Sequence, residues 1–234
     1  MAAEPRPTIW VIAGPNGGGK TTIVGEMIRE AGADYFDPDE ATRRLRERNP
    51  GLSLTDANAI AWEESRRRLE ASISNLENFA FETTLGGRTI ARLLHRAAHG
   101  GMAVKVWYVA LDSADRHVAR VKARVARGGH DVPEGRIRER YDRSRANLAR
   151  LVPKLAALKV YDNSFEARVE QLECPRLRLI LDFADGRIRN RDRLADTPEW
   201  AKPIVAATMK VDRGMGIAPT KARSWPNPAY PTLT

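Results

Sequence analysis

The sequence predicts an α/β fold, with a central parallel sheet of about five strands flanked by helices, and three observations predict it. Short apolar, β-branched runs alternate with longer stretches of helical periodicity. Turn-forming residues punctuate that alternation. The first apolar run, Thr8-Ile9-Trp10-Val11-Ile12-Ala13, leads into Gly14-Pro15-Asn16-Gly17-Gly18-Gly19-Lys20-Thr21-Thr22. That loop fits the P-loop pattern of Gly, four residues, then Gly-Lys-Thr.

The context is what the motif requires. A strand precedes the loop, and Ile23, Met27 and Ile28 follow at helical spacing over 22–29. Glycines let backbone N–H groups face inward, where side chains would block a phosphate. The helix N-terminus adds unpaired donors and partial positive charge. Lys20 supplies a full charge to the β- and γ-phosphates, and the Thr21 hydroxyl is the Mg²⁺ ligand. A nucleoside triphosphate, ATP, is expected to bind across residues 14–22.

The remaining elements follow in order. Asp34-Tyr35-Phe36 reads as a short second strand that Pro38 stops, leaving Asp37 and Asp39 at its end. A helix is expected over 40–48, broken by Asn49-Pro50-Gly51, and a longer one over 55–76 with Trp62, Leu69, Ile73 and Leu76 on its packing face. Phe79-Ala80-Phe81 is the third strand, ending in Glu82-Thr83-Thr84, and a helix over 89–99 closes at Gly100-Gly101. Strands over 104–111 and 158–161 follow, the latter ending in Asp162-Asn163-Ser164. Ala184-Asp185-Gly186 is the turn of a small C-terminal hairpin. A last helix over 197–207 packs Trp200 and Ile204. In parallel sheets ligands bind at the carboxyl ends of the strands, where Gly14, Asp39, Glu82 and Asn163 all fall. The domain is expected to span 1–206, with 207–234 a tail without its own core, because Pro219, Pro226, Pro228 and Pro231 crowd a polar ending.

Composition bounds the rest. The chain has 234 residues and a net charge of +9. Nothing resembles a signal peptide, and no apolar run approaches membrane-spanning length. The single cysteine, Cys174, excludes an internal disulfide framework, reads as a small core residue and suits a reducing cytoplasm. The excess charge is local: residues 116–150 hold ten arginines and Lys122 against four carboxylates, a net +7. That concentration favours a phosphate-handling site over a diffuse basic coat.

Within that segment Arg116, Arg120, Arg124 and Arg127 form one helical stripe, with Val118, Val121 and Val125 opposite. Arginine's planar fork pairs bidentately with phosphate oxygens. The reading assigns phosphate contact to Arg124 and Arg127 and leaves Arg116 to solvent. Gly128-Gly129 is a hinge, and His130 is either a phosphate contact or a lid-turn hydrogen bond. A second helix packs Ile137, Tyr141, Ser144, Leu148 and Leu151 inward, with Arg140 at the border of that face. Two arginine-bearing helices joined by a flexible turn, over about 113–150, read as the lid of a small-molecule kinase, which closes over ATP and excludes water.

These motifs together resemble the zeta toxin family, in its small stand-alone bacterial branch. The resemblance rests on the glycine loop, on Asp37-Pro38-Asp39-Glu40, on Phe81-Glu82-Thr83-Thr84-Leu85, on the run from Arg120 to Pro133, on Arg140-Tyr141 and on Tyr161-Asp162-Asn163-Ser164. It implies a P-loop fold of the nucleotide-kinase type and ATP-dependent phosphorylation. Characterised members phosphorylate UDP-N-acetylglucosamine. Carried onto this chain, Lys20 and Thr21 serve phosphate and Mg²⁺, Asn163 belongs to the ATP site, and Asp39 is the general base. Glu82, Thr83 and Thr84 line the substrate site, and Arg124 or Arg127 with Arg140 clamps the transferring phosphoryl group. Where family members carry an arginine just after Glu-Thr-Thr, this chain has Gly86, with Arg88 as the later cation. An antitoxin protein is the partner the resemblance suggests.

Two other classes are weighed. A nucleic-acid 5′-hydroxyl kinase would use the same parts, but no aromatic residues interleave with the basic ones as single-strand binding favours. A regulatory ATP-binding module would not need Asp39 or the lid arginines.

Overall fold

The computed structural model describes residues 6–20, 35–164 and 177–214. Thr21 and Thr22, the helix expected over 22–29, Cys174 and the chain beyond 214 lie outside the described residues.

Seven strands form one sheet in the order β2-β3-β1-β4-β5-β6-β7. They are β1 (Thr8–Ala13), β2 (Tyr35–Phe36), β3 (Phe79–Thr83), β4 (Ala103–Ala110), β5 (Ala157–Asp162), β6 (Arg178–Ala184) and β7 (Arg187–Arg191). The first five in spatial order are parallel, and β6 and β7 add antiparallel at one edge. β1 sits in the parallel block, with Val11 opposite Phe81 on one side and Val106 on the other. Covered on both faces, β1 and β4 are apolar almost throughout, which is why they read as continuous runs. Asp185 and Gly186 both take positive φ, 53° and 75°, the turn geometry that joins two twisted strands in a tight hairpin.

Helices are α1 (Pro38–Arg48), α2 (Leu54–Asn75), α3 (Arg88–His99), α4 (Ala114–Val125), α5 (Glu134–Leu151) and α6 (Lys202–Gly214). The main core lies on the sheet face carrying Val11, Phe81, Val106, Tyr108 and Leu158, where Leu69, Leu94, Leu148 and Ile204 come in from α2, α3, α5 and α6. The lid has a small core of its own: Val118 and Val121 of α4 meet Val132 and Ile137. Trp200 packs beside Tyr108 as expected, although it lies just before the last helix and not within it. That helix runs later than expected, to Gly214, and Thr208 within it is fully buried.

One expected packing face is corrected. α2 buries Ala57, Ala61, Ser65, Leu69 and Ser72, while Trp62 and Leu76 are 46% and 54% exposed. Small residues let α2 lie close to α1, where the Thr42 hydroxyl donates to Asn58 Oδ1 at 3.1 Å. Leu76 is the C-cap, in the left-handed conformation with φ 56°. Large apolar residues therefore point to the wrong side of this helix. Leu69→Ala is expected to cost about 2–5 kcal/mol, and Trp62→Ala within about 0.5 kcal/mol. Denaturant melts of the two variants check this ordering.

Candidate active site

The glycine loop lies at the carboxyl end of β1. A Cβ at Gly14, with φ 142°, would stand 2.0 Å from the Val109 carbonyl oxygen. One at Gly17, with φ 78°, would stand 2.7 Å from that of His117. Both positions need glycine for conformation and for close approach. Lys20 is 6% exposed. Its Nζ donates to the Pro15 carbonyl at 3.0 Å and lies 3.5 Å from Glu82 Oε1, at the end of the neighbouring strand.

Two struts hold the loop. Asn163, at the end of β5, donates Nδ2–H to the Gly18 carbonyl at 2.9 Å, and its buried Oδ1 has no partner among the described residues. His117, fully buried on α4, bonds the Asn16 carbonyl through Nδ1 at 2.7 Å and accepts the Leu111 N–H on Nε2 at 3.1 Å. Those partners require a neutral ring protonated on Nδ1. Burial above all, with the Lys20, Arg120 and Arg145 charges adding to it, pushes His117 down to about 4. The sequence reading missed this residue. Its one signal is a polar side chain beside Val118 and Val121 on the packing face of a basic helix.

The basic stripe divides. Arg120 Nη2 donates to the Asn163 carbonyl at 2.7 Å, and Arg116 bonds the Ser164 carbonyl and pairs with Asp112. These two pin α4 to the strand-end loop, so Arg116 is not simply in solvent. Arg127 returns its Nε–H to the Ala123 carbonyl of its own helix at 3.2 Å and is exposed. Arg124 alone of the four faces the acidic strand end: Nη1 lies 3.9 Å from Asp39 Oδ2, and Nη2 donates to the His130 carbonyl at 3.0 Å.

Asp37 and Asp39 do different things. Asp37 caps α1, accepting the Asp39 N–H at 2.8 Å; burial first, and the Asp39 charge second, push its carboxyl up. Asp39 opens onto a cavity of about 950 Å³, lined also by Thr42, Arg43, Arg46, Arg124 and His130. Arg140 reaches in from α5, donating Nη1–H to Asn16 Oδ1 at 2.8 Å. Burial, then the nearby Arg136 charge, lowers its guanidinium pKa, and the Asp39 charge opposes that. Room for its stem comes from Gly86, where a Cβ would stand 2.8 Å from Arg140 Cγ.

Lys20, Glu82, Asn16 and Arg140 thus gather at the glycine loop, with Asp39, Arg124 and His130 around the adjoining cavity. The Thr83 and Thr84 hydroxyls accept N–H groups of Leu85 and Gly86, shaping the turn after β3. Arg88 lies exposed on the first turn of α3 and Arg127 faces away, so neither joins the group. Among the described residues no three metal-ligating side chains cluster. A Mg²⁺ held by phosphate oxygens, one hydroxyl and waters needs no such cluster. No helix among the described residues is long and apolar enough to cross a membrane.

A glycine loop on a mostly parallel sheet, with an arginine-bearing helical pair over the strand ends, defines a P-loop kinase-like α/β domain. Residues 9–151 match the family described as AAA domain, and the chain belongs to that family. An uncharacterized protein of Haemophilus influenzae is 29% identical over 143 residues, 58% of this chain and 99% of the relative. Among solved structures, the AvrRxo1-ORF1:-ORF2 complex with ATP matches with TM-score 0.57 and 14% identity over 88% of this chain. This chain covers 64% of that protein. The PezAT chromosomal toxin-antitoxin system of Streptococcus pneumoniae matches with TM-score 0.53 and 12% identity, over 92% of this chain and 89% of that one. At these identities the likeness is one of fold.

A pH dependence follows from His117. The folded protein keeps its ring neutral down to about pH 4, whereas the unfolded chain titrates near 6.5. Between those values the unfolded state binds more protons, so this stabilisation is present above about pH 6.5 and lost as pH falls towards 4. The loss is on the order of 3 kcal/mol. His117→Gln is expected to be less stable than wild type at pH 7 and to lose less on acidification, as measured by melts from pH 7 to 4.

Proposed function

We propose that the protein is an ATP-dependent small-molecule kinase, transferring the γ-phosphate to a hydroxyl of an acceptor bound in the Asp39 cavity. One observation carries the reading: a half-exposed carboxylate, Asp39, lines that cavity and pairs with a lid arginine, Arg124, at 3.9 Å, while Asp37 on the same turn lies within electrostatic reach of Lys20. An ATP sensor has no use for a carboxylate and a guanidinium paired at the wall of such a cavity.

In this reading Lys20 leaves Pro15 and Glu82 for the β- and γ-phosphates, and Arg140, already anchored on Asn16, stands beside the transferring group. Mg²⁺ on the Thr21 hydroxyl would neutralise phosphate charge. Asp39 takes the acceptor's proton as its oxygen bonds phosphorus and the bond to ADP breaks. Arg124 balances charge on the equatorial oxygens as the lid excludes water. Glu82 orients the acceptor. The zeta toxin resemblance makes UDP-N-acetylglucosamine the first acceptor to try, a phosphorylated compound in keeping with the basic lid. It also suggests a separate antitoxin, with which the fold likeness to a toxin-antitoxin system is consistent, and the single cysteine suits a cytoplasmic protein.

Asp39→Asn is nearly isosteric. It is expected to keep ATP affinity and to lower transfer by roughly a hundredfold or more, the usual size of a general-base contribution. Asp37→Asn is expected to act on stability, through the lost cap, more than on rate. Steady-state assays with UDP-N-acetylglucosamine, other nucleotide sugars, nucleosides and a 5′-hydroxyl oligonucleotide read this out. Wild-type rates in Asp39→Asn would move the base elsewhere, Glu82 first. Arg124→Lys is expected to lower kcat well beyond any change in the KM for ATP, while Arg127→Lys stays near wild type. Equal small effects would return both arginines to the solvated surface.

A further inference from the structure

Helix α4 and the turn joining it to α5 bring two groups up to Asp39 at the cavity wall, one for each carboxylate oxygen. Arg124 Nη1 lies 3.9 Å from Oδ2 and His130 Nε2 lies 3.7 Å from Oδ1. Both distances exceed hydrogen-bond length, so the turn is held by the charge of Asp39 acting on the Arg124 guanidinium and on the His130 ring, which lies 3.4 Å from Arg124 Nη2 through the same Nε2 and adds a full charge only when protonated.

The turn is built to present these groups together. Arg124 Nη2 donates to the His130 carbonyl at 3.0 Å, and the Gly129 N–H bonds the Arg124 carbonyl at 3.0 Å. Gly128 takes φ 84°, and a Cβ at Gly129 would stand 2.5 Å from Arg124 Cγ. The backbone therefore wraps the arginine stem and carries His130 with it. Asp39 is the one carboxylate paired with either group among the described residues. Asp131, next in the chain, turns its carboxylate to the Val132 N–H at 2.8 Å. Arg124 also keeps a buried Nε–H without a partner among the described residues, so the bracket leaves it capacity for a ligand oxygen. Other charges around Asp39 are Asp37 on its own turn, Arg140 from α5, and Glu40, Arg43, Arg46, Glu47 and Asp131 on the same cavity wall.

We infer that His130 is a positioning residue for Asp39. With Arg124 it brackets the carboxylate, docking the lid turn while Asp39 is charged and releasing it once Asp39 is neutral. Only the timing rests on Asp39 being the base of the reaction. The acceptor hydroxyl gives its proton to Asp39 as the new O–P bond forms and the bond to ADP breaks. Asp39 is then uncharged, the bracket loses its attraction, and the turn moves off with the product still to leave. Water in the opened cavity takes the proton and restores the carboxylate. Chemistry and lid opening are coupled by one charge.

Hydrogen exchange over residues 124–131 of the ligand-free protein tests this without knowledge of the acceptor. Asp39→Asn, a neutral mimic, and His130→Ala are both expected to exchange about three- to tenfold faster there, with melting temperature and exchange in α3 unchanged. His130→Lys, which keeps a cation on the turn, is expected to return most of the protection, and His130→Gln, which carries no charge, little of it. The gap between wild type and Asp39→Asn should narrow in 1 M salt, since exposed charges are then screened. Unchanged exchange in Asp39→Asn overturns the bracket, as does loosening confined to His130→Ala, which would mark mere packing of the turn. Loosening in Asp39→Asn but not in His130→Ala removes His130 and leaves Arg124 alone. If Asp39→Asn loosens the turn yet still transfers phosphate, the bracket stands and the base reading fails; loss of transfer with an unmoved turn is the reverse.

Discussion

The structure depends on what holds Asn16. A glycine loop has little of its own to fix it, so its shape must be imposed from outside. Here the Asn16 carbonyl accepts from His117 on α4 and its side-chain oxygen accepts from Arg140 on α5. One residue of the loop is thus tied to both lid helices. His117 completes the tie by accepting the Leu111 N–H at the end of β4. The sheet, the loop and the root of the lid become one unit, and the turn around Gly128 and Gly129 lies at the end of the lid away from these ties.

That division explains the two halves of the basic helix. Near its root, Arg116 and Arg120 bond carbonyls of Ser164 and Asn163 and serve as anchors. Near its tip, Arg124 pairs with the Asp39 carboxylate at 3.9 Å. The same residue type on the same stripe does structural work at one end and stands at the site at the other. Distance from the sheet decides which, since a guanidinium beside strand-end carbonyls finds partners and one beyond them finds solvent or ligand. The lid small core of Val118, Val121, Val132 and Ile137 keeps the tip folded independently of the main core.

How much of this the sequence shows varies with how local the cause is. The glycine loop, the strand ends and the Asp185-Gly186 turn are written in adjacent residues, and they lie where the pattern puts them. The lid is legible too, because arginine and valine stripes on one helix imply two opposed faces. The roles within the stripe are not legible, because they depend on where α4 sits against β5. His117 escapes for the same reason: its partners lie 6 and 101 residues away in sequence. Trp62 misleads because size suggests burial, whereas the close packing of α1 on α2 selects alanine and serine. Gly86 makes sense only once Arg140 is seen to need its space.

The central claim is that the γ-phosphate goes to an organic hydroxyl and that Asp39 takes the proton. The most direct measurement follows the label in a single turnover of γ-³²P-ATP with a cell-extract pool of small metabolites, wild type beside Asp39→Asn. The account predicts label in an acid-stable phosphate ester with wild type and almost none with the variant. Label recovered only as inorganic phosphate, or equal ester from both proteins, would contradict it.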